Sequence, residues 1–251
     1  MIHRDFHRQR MTTYLRGQLA ESGSRDVPQN AAPSLTISRQ CGSGTNRIGR
    51  KLVEYLDQID ESAVHGWAFF DQSLIGKIIE ENLIPEIPDP YVPENAKFPI
   101  SPMLEEALNR PRSEWCLFNH LASTMRRLSR LGNAVIVGRA SNFVTTDHEH
   151  TFHVRLVGSE TKRIAYTRSC FELTSKEAEK LVRKTDQSRA RFVRRYTGME
   201  VDDASAYHLI LNTDNLRDEV IVRIIGDSLI EWASEKDSPA ITRGNFSQTV
   251  S

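Results

Sequence analysis

The sequence predicts an α/β fold built on an open, mostly parallel sheet. Three observations lead there. Strands such as "NAVIVG" (133–138) are near-continuously apolar, as strands buried on both faces are. Helical periodicities separate the strands one by one, the alternation of a parallel sheet covered by helices. The chain is also long enough, at 251 residues with 39% hydrophobic content, to bury a sizeable core.

The elements follow in order. "SLTIS" (34–38) reads as a strand, and Asn46 to Leu56 as a helix with Ile48, Leu52, Val53 and Leu56 on one face. "WAFFD" (67–71) is a second strand and "QSLIGKIIEENL" (72–83) a second helix. Seven of the ten prolines then fall between Pro85 and Pro111. Proline forbids regular helix and central strand, so this stretch reads as a lid or an insertion. A helix from Ser113 to Leu131 leads into "NAVIVG", and "TFHVRLV" (151–157) is the next strand. A helix from Ser159, a long charged helix from Thr174 to Tyr196, the strand "YHLILN" (207–212) and a helix from Leu216 to Ala233 complete the order.

Residues 1–33 read as a polar, flexible arm with one helix around Met11 to Ala20, and residues 234–251 as a frayed tail. The three cysteines, Cys41, Cys116 and Cys170, are far apart and odd in number. They match no zinc spacing or disulfide framework, so a reducing, cytoplasmic setting is expected. Lys+Arg and Asp+Glu balance at 33 each, which gives no electrostatic case for nucleic acid or membrane partners. No apolar run approaches the roughly 20 residues of a membrane span.

In an open parallel sheet, ligands sit beyond the carboxyl ends of the strands. That rule singles out Arg39 to Arg47, Asp71, Arg139, the segment after Val157, and Asn212 to Asp214. The turn Gly42-Ser43-Gly44 between strand and helix has the outline of a phosphate-cradling loop. The full fingerprint G-x-x-x-x-G-K-[ST] adds a lysine and a hydroxyl. Here Arg39 stands at the first glycine, Thr45 at the lysine and Asn46 at the hydroxyl. A phosphate loop and a plain strand-to-helix turn therefore both remain open. Arg39 and Arg47 bracket the glycines, and arginine holds phosphate oxygens bidentately. Arg139 directly follows a buried strand, where it meets either an anion or a structural carboxylate. Asp71 either orients a substrate or caps the following helix. "RKTDQSRARFVRRYTG" (183–198) is the densest basic segment, with Asp186 and Arg189 at i,i+3. It is either a solvated face or a clamp for polyphosphate.

Together, "TISRQCGSGTNRIGRKLVEYL", "FFDQSLIGKIIEEN", "AVIVGRASNF", "HVRLVGSETKRI", "KTDQSRARFVRRYTG" and "YHLILNTDNL" resemble the cytidylate kinase-like family, a branch of the P-loop nucleoside monophosphate kinases. The resemblance runs from about Ser34 to Trp232. It implies a three-layer αβα P-loop kinase domain over 34–233, with an acceptor-binding insertion at about 72–131 and an arginine-bearing lid at about 174–200. It implies ATP as phosphoryl donor and CMP or a similar acceptor, with Mg²⁺ in attendance and no protein ligand identified for it. By the same resemblance, Arg39, Gly42, Ser43, Gly44, Thr45, Asn46, Asn212 and Thr213 bind the donor. Asp71 and Arg139 bind the acceptor, and Arg47, Arg139, Asp186, Arg189, Arg191 and Arg194 carry the chemistry. True cytidylate kinases also have an Asp where this chain has Val137, and the loop lysine where it has Thr45. The expectation is a phosphotransferase of cytidylate kinase type. The alternative is a nucleotide-binding module that has lost turnover.

Overall fold

The computed structural model describes residues 2–21, 32–81, 83–84 and 114–237. Five strands form one sheet in the order β2-β3-β1-β4-β5. They are β1 (Ser34–Arg39), β2 (Ala68–Phe70), β3 (Ala134–Ile136), β4 (Thr151–Val157) and β5 (Leu209–Asn212). All neighbouring pairs are parallel. The helices are α1 (Ile2–Glu21), α2 (Thr45–Ile59), α3 (Gln72–Glu80), α4 (Glu114–Leu131), α5 (Ser141–Val144), α6 (Glu160–Phe171), α7 (Ser175–Thr197) and α8 (Asp218–Asp237).

Two apolar layers flank the sheet. One joins Ile48, Leu52, Val53 and Leu56 of α2 to Leu35, Ile37, Val154 and Leu156, with Ile225 and Leu229 of α8 behind them. The four α2 residues are those the helical spacing selects. The other layer joins Phe70, Ile75, Ile78, Leu128 and Ile136.

The central strands are less apolar than β3 suggests. β1 and β4 alternate, and Ser34, Thr36, Ser38, Thr151, His153 and Arg155 are all buried. Burial of so many polar groups is tolerable only with partners, and they have them. Ser129 Oγ lies 2.9 Å from Ser34 Oγ and 2.5 Å from Thr151 Oγ1, and Thr36 Oγ1 lies 2.7 Å from His153 Nδ1.

The arm expected to be loose is the main correction to the reading of the fold. Met11, Tyr14 and Leu15 of α1 are buried in the second apolar layer. The Tyr14 ring meets Phe70 edge-on at 5.6 Å, and its hydroxyl donates to the Gly132 carbonyl. Arg10 Nε donates to the Trp67 carbonyl at 2.7 Å. The reason is pattern: three apolar residues at helical spacing in an otherwise polar segment are enough to seat it. α8 likewise continues past Ala233 to Asp237. The expected proline-rich cover (85–111) and the tail beyond Asp237 lie outside the described residues. No helix among the described residues is long and apolar enough to cross a membrane.

Candidate anion site at the carboxyl edge of the sheet

The loop after β1 turns through two left-handed glycines, Gly42 (φ 83°) and Gly44 (φ 75°). A Cβ on Gly42 would overlap the carbonyl of Arg163 on α6, so the first glycine is required by helix packing as well as by its own φ. Gly44 is the N-cap of α2 and offers no side-chain cap. Among the described residues, the N–H groups of Gly42, Gly44, Thr45 and Asn46 have no acceptor. Unsatisfied donors at a helix start, reinforced by its dipole, attract anions. Ser43 and Thr45 turn inward: Ser43 Oγ donates to the Gln40 carbonyl at 2.9 Å and lies 2.9 Å from Thr45 Oγ1.

Three arginines from three elements lie close enough beside this loop to perturb one another: Arg39 ends β1, Arg139 follows β3, and Arg189 comes from α7. Desolvation first, then Arg189 and Arg139, push the Arg39 guanidinium down to about 9. Desolvation and Arg189 lower Arg139, and desolvation lowers Arg189. Among the described residues, Arg39 and Arg139 have no ion pair, and neither guanidinium has a hydrogen bond. Arg139 lies over the Phe192 ring at 5.7 Å, and its Nε is buried without an acceptor. Arg189 Nη1 donates to the Arg39 carbonyl at 3.2 Å and lies 3.9 Å from Asp186 Oδ1. Backbone strain supports the placement, because Ala140, next to Arg139, is left-handed at φ 58°. Such conformations cost about 1–3 kcal/mol and collect at functional sites.

Other expected residues stand elsewhere. Arg47 pairs with Asp218, Nε to Oδ2 at 2.6 Å, and lies over the Tyr166 ring at 5.1 Å. It lines a narrow cleft of about 90 Å³ together with Gly42, Ser43 and Gly44 of the loop, Lys162, Tyr166 and Thr213, so it flanks the loop while its charge is engaged by Asp218. Arg194 is exposed and pairs with Glu200 at 2.5 Å. Arg191 is exposed, its Nε donating only to the Gln187 carbonyl at 3.4 Å. Of the lid arginines named from sequence, Arg189 alone reaches the loop. Asp186 faces the loop too, but as a brace: Oδ1 accepts from Cys41 N–H at 2.7 Å and Oδ2 from Arg163 Nη1 at 2.6 Å. Asp71 caps α3, accepting from Leu74 N–H at 3.0 Å, while its charge still reaches Arg39. Asn46 is exposed. Asn212 Oδ1 accepts from Asp214 N–H, and Thr213 N–H donates to the Val157 carbonyl, which fixes the loop beyond β5.

Sequence reasoning missed two residues. Arg163 ties Gly158, Cys41 and Asp186 together, with contacts of 2.9, 2.9 and 2.6 Å. Arg155 donates to Ser38 Oγ at 3.0 Å and to Asp202 at 2.6 Å. An arginine inside the strand "HVRLV" was the available signal, since a buried strand charge demands a partner.

The described residues form no all-protein cage for Mg²⁺, which leaves substrate phosphates and water as its main ligands. Among the described residues no cluster of three acidic, His or Cys side chains exists. Val137, where an organising Asp is expected, is wholly buried, and Asp186 is engaged by Arg163 and Cys41.

A profile described as the cytidylate kinase-like family matches residues 34–215. No curated protein matches the sequence. Among solved structures, an uncharacterized protein from Eubacterium ventriosum ATCC 27560 superposes with a TM-score of 0.59 at 15% identity, covering 79% of this chain and 98% of that one. A shikimate kinase from Bacteroides thetaiotaomicron gives 0.47 at 14% identity, over 79% and 98% of the two chains. A gluconokinase from Sinorhizobium meliloti 1021 gives 0.46 at 15%, over 82% and 97%.

Proposed function

The chain belongs to the cytidylate kinase-like family, and from that premise we propose that it transfers the γ-phosphoryl of ATP to a nucleoside monophosphate or a related small acceptor. One observation carries the reading. Among the described residues, two desolvated guanidinium groups, Arg39 and Arg139, have no ion pair, and they lie with Arg189 at the carboxyl edge of the sheet, where β1 enters the glycine loop. Such a cluster is costly unless an anion neutralises it.

Phosphoryl transfer asks for positioning and charge stabilisation more than for covalent help from the protein. The N–H groups of Gly42, Gly44, Thr45 and Asn46 hold the donor phosphates. Arg39 and Arg189 supply the charge that Thr45 cannot, from the strand end and the lid. Arg139 takes the acceptor phosphate. Asp186 and Arg163 hold the loop in shape, so they are positioning residues. Tyr166 and Thr213 flank the cleft suited to the donor base. At about 90 Å³ that cleft is below the 300 Å³ or more of ordinary ligand sites, and the Arg47–Asp218 pair forms one of its walls.

A second reading, nucleotide binding without turnover, draws on Asp186, whose carboxylate occupies a loop N–H that a phosphate would otherwise use. The test is a phosphoryl-transfer screen of ATP and GTP against CMP, dCMP, UMP and AMP, run beside calorimetric binding. Transfer to any acceptor supports the enzyme. Binding with no transfer leaves the module, and absence of both removes the nucleotide reading.

A further inference from the structure

A second cavity, of about 420 Å³, lies at the amino ends of β4 and β5, opposite the phosphate loop. Its walls come from Tyr207, His208, Trp232, His153, Thr146 and Glu149. None of these belongs to the anion site. The volume falls in the 300–1,000 Å³ range of small-molecule sites, and aromatic side chains share the walls with polar and charged ones.

The walls are pre-set. His208 stacks on Phe152 at 4.9 Å and 14°, and Trp232 meets Phe152 edge-on at 5.3 Å. Lys236 lies over Trp232 at 4.9 Å, and the Tyr207 hydroxyl donates to the Val201 carbonyl at 2.9 Å. Burial pushes His153 down to about 3, and burial with Lys236 lowers His208, so both rings are neutral near pH 7. His208 Nδ1 accepts from His153 N–H at 2.9 Å. A neutral ring that accepts at Nδ1 carries its proton on Nε2. Neither Nε2 has a hydrogen-bond partner among the described residues. The cavity therefore presents aromatic faces, an N–H donor on His208 and a carboxylate at Glu149, with Lys236, Ser205 and Thr146 as further polar groups on its walls.

We propose that this cavity binds an uncharged, planar bicyclic nitrogen heterocycle of purine size, its ring-edge acceptor on His208 and an exocyclic or ring N–H on Glu149. The proposal stands apart from phosphoryl transfer, because binding here needs no phosphate.

Quenching of tryptophan fluorescence on titration with hypoxanthine, adenosine and guanosine, in saturating inorganic tripolyphosphate, tests it, with calorimetry beside it. At least one probe is expected to bind saturably, at a dissociation constant on the order of 1 mM or below. His208→Ala removes the donor, and Thr146→Phe fills the cavity from its exposed rim. Each is expected to weaken binding about tenfold or more, equivalent to about 1.4 kcal/mol, and to leave ATP affinity unchanged. No saturable binding of any probe, or equal binding by both variants, overturns the assignment. Thr146 is exposed, so its variant keeps the test valid even where the His208 change disturbs the fold.

Discussion

Replacing Arg39 by methionine should stabilise the free protein and abolish its response to phosphate. Desolvation, and then Arg189 and Arg139, push the guanidinium of the partly buried Arg39 down to about 9. At 1.36 kcal/mol per pKa unit, the cation costs the fold at most about 5 kcal/mol. Water entry and relaxation reduce this to about 1–4 kcal/mol, the range seen when buried charge is exchanged for apolar bulk. Methionine keeps the length of the stem and removes the charge. For a chain of this size about 2 kcal/mol corresponds to a rise in Tm of roughly 4–8 °C.

Ligand should reverse the ranking. ATP at 100 times its Kd stabilises a binding protein by about 2.7 kcal/mol, and the variant should gain little of that. Calorimetric melting of both proteins, with and without ATP, reads all four states. The pH dependence has a definite sign. The folded state holds the Arg39 proton less tightly than the unfolded state, so the burden is full below about 9 and lifts as pH climbs above that. A variant that melts below the wild type without ligand would refute the reasoning, because Arg39 would then be a structural cation.

Other substitutions separate the arginines. Arg47→Ala should cost 0–1 kcal/mol through its half-exposed pair with Asp218 and change turnover less than about threefold, whereas Arg189→Ala should lower turnover about 10³-fold; steady-state kinetics distinguishes them, and the opposite ranking would restore Arg47 to the chemistry. Arg139→Ala should weaken acceptor binding far more than ATP binding by calorimetry, and equal loss of both would mark Arg139 as structural. Tyr14→Phe removes a buried hydroxyl from the Gly132 carbonyl and should cost about 1 kcal/mol, read as a Tm drop of about 2–4 °C; an unchanged Tm would mean that α1 adds little to the core.

The strand ends were legible in the sequence because parallel topology puts them on one edge, and so Arg39, Gly44 and Arg139 were singled out, as residues the structure does place at that edge. The choice among lid arginines was legible too, though it was not made from the charge run. At 100° per residue, Ala178, Val182, Val193 and Tyr196 share a stripe with Arg189, whereas Arg191 and Arg194 lie about 200° and 140° around from it. The buried set of α7 follows that stripe. Arg47 could not be read this way, because its partner Asp218 is 171 positions away and chain-distant pairs leave no periodicity. The buried polar layer of β1 and β4 hid behind the apolar look of β3, although its alternation was there to count.

On the proposed function the missing lysine is charge relocated rather than charge removed, and that has a consequence for repair. Restoring the fingerprint with Thr45→Lys should fail. Thr45 is 6% exposed and hydrogen-bonded to Ser43, so a lysine there breaks that contact and adds a fourth cation beside Arg39, Arg139 and Arg189. Like charges in a desolvated site repel, so the variant should melt lower and transfer phosphoryl more slowly. Combined with Arg39→Met, the same lysine meets one fewer cation. The double variant should therefore be more stable than the two single effects add up to, with a coupling of about 0.5–3 kcal/mol. Additive effects would mean that Arg39 and position 45 do not share a site. A Thr45→Lys protein faster than the wild type would mean that the loop, and not the strand end, is where this fold needs its charge.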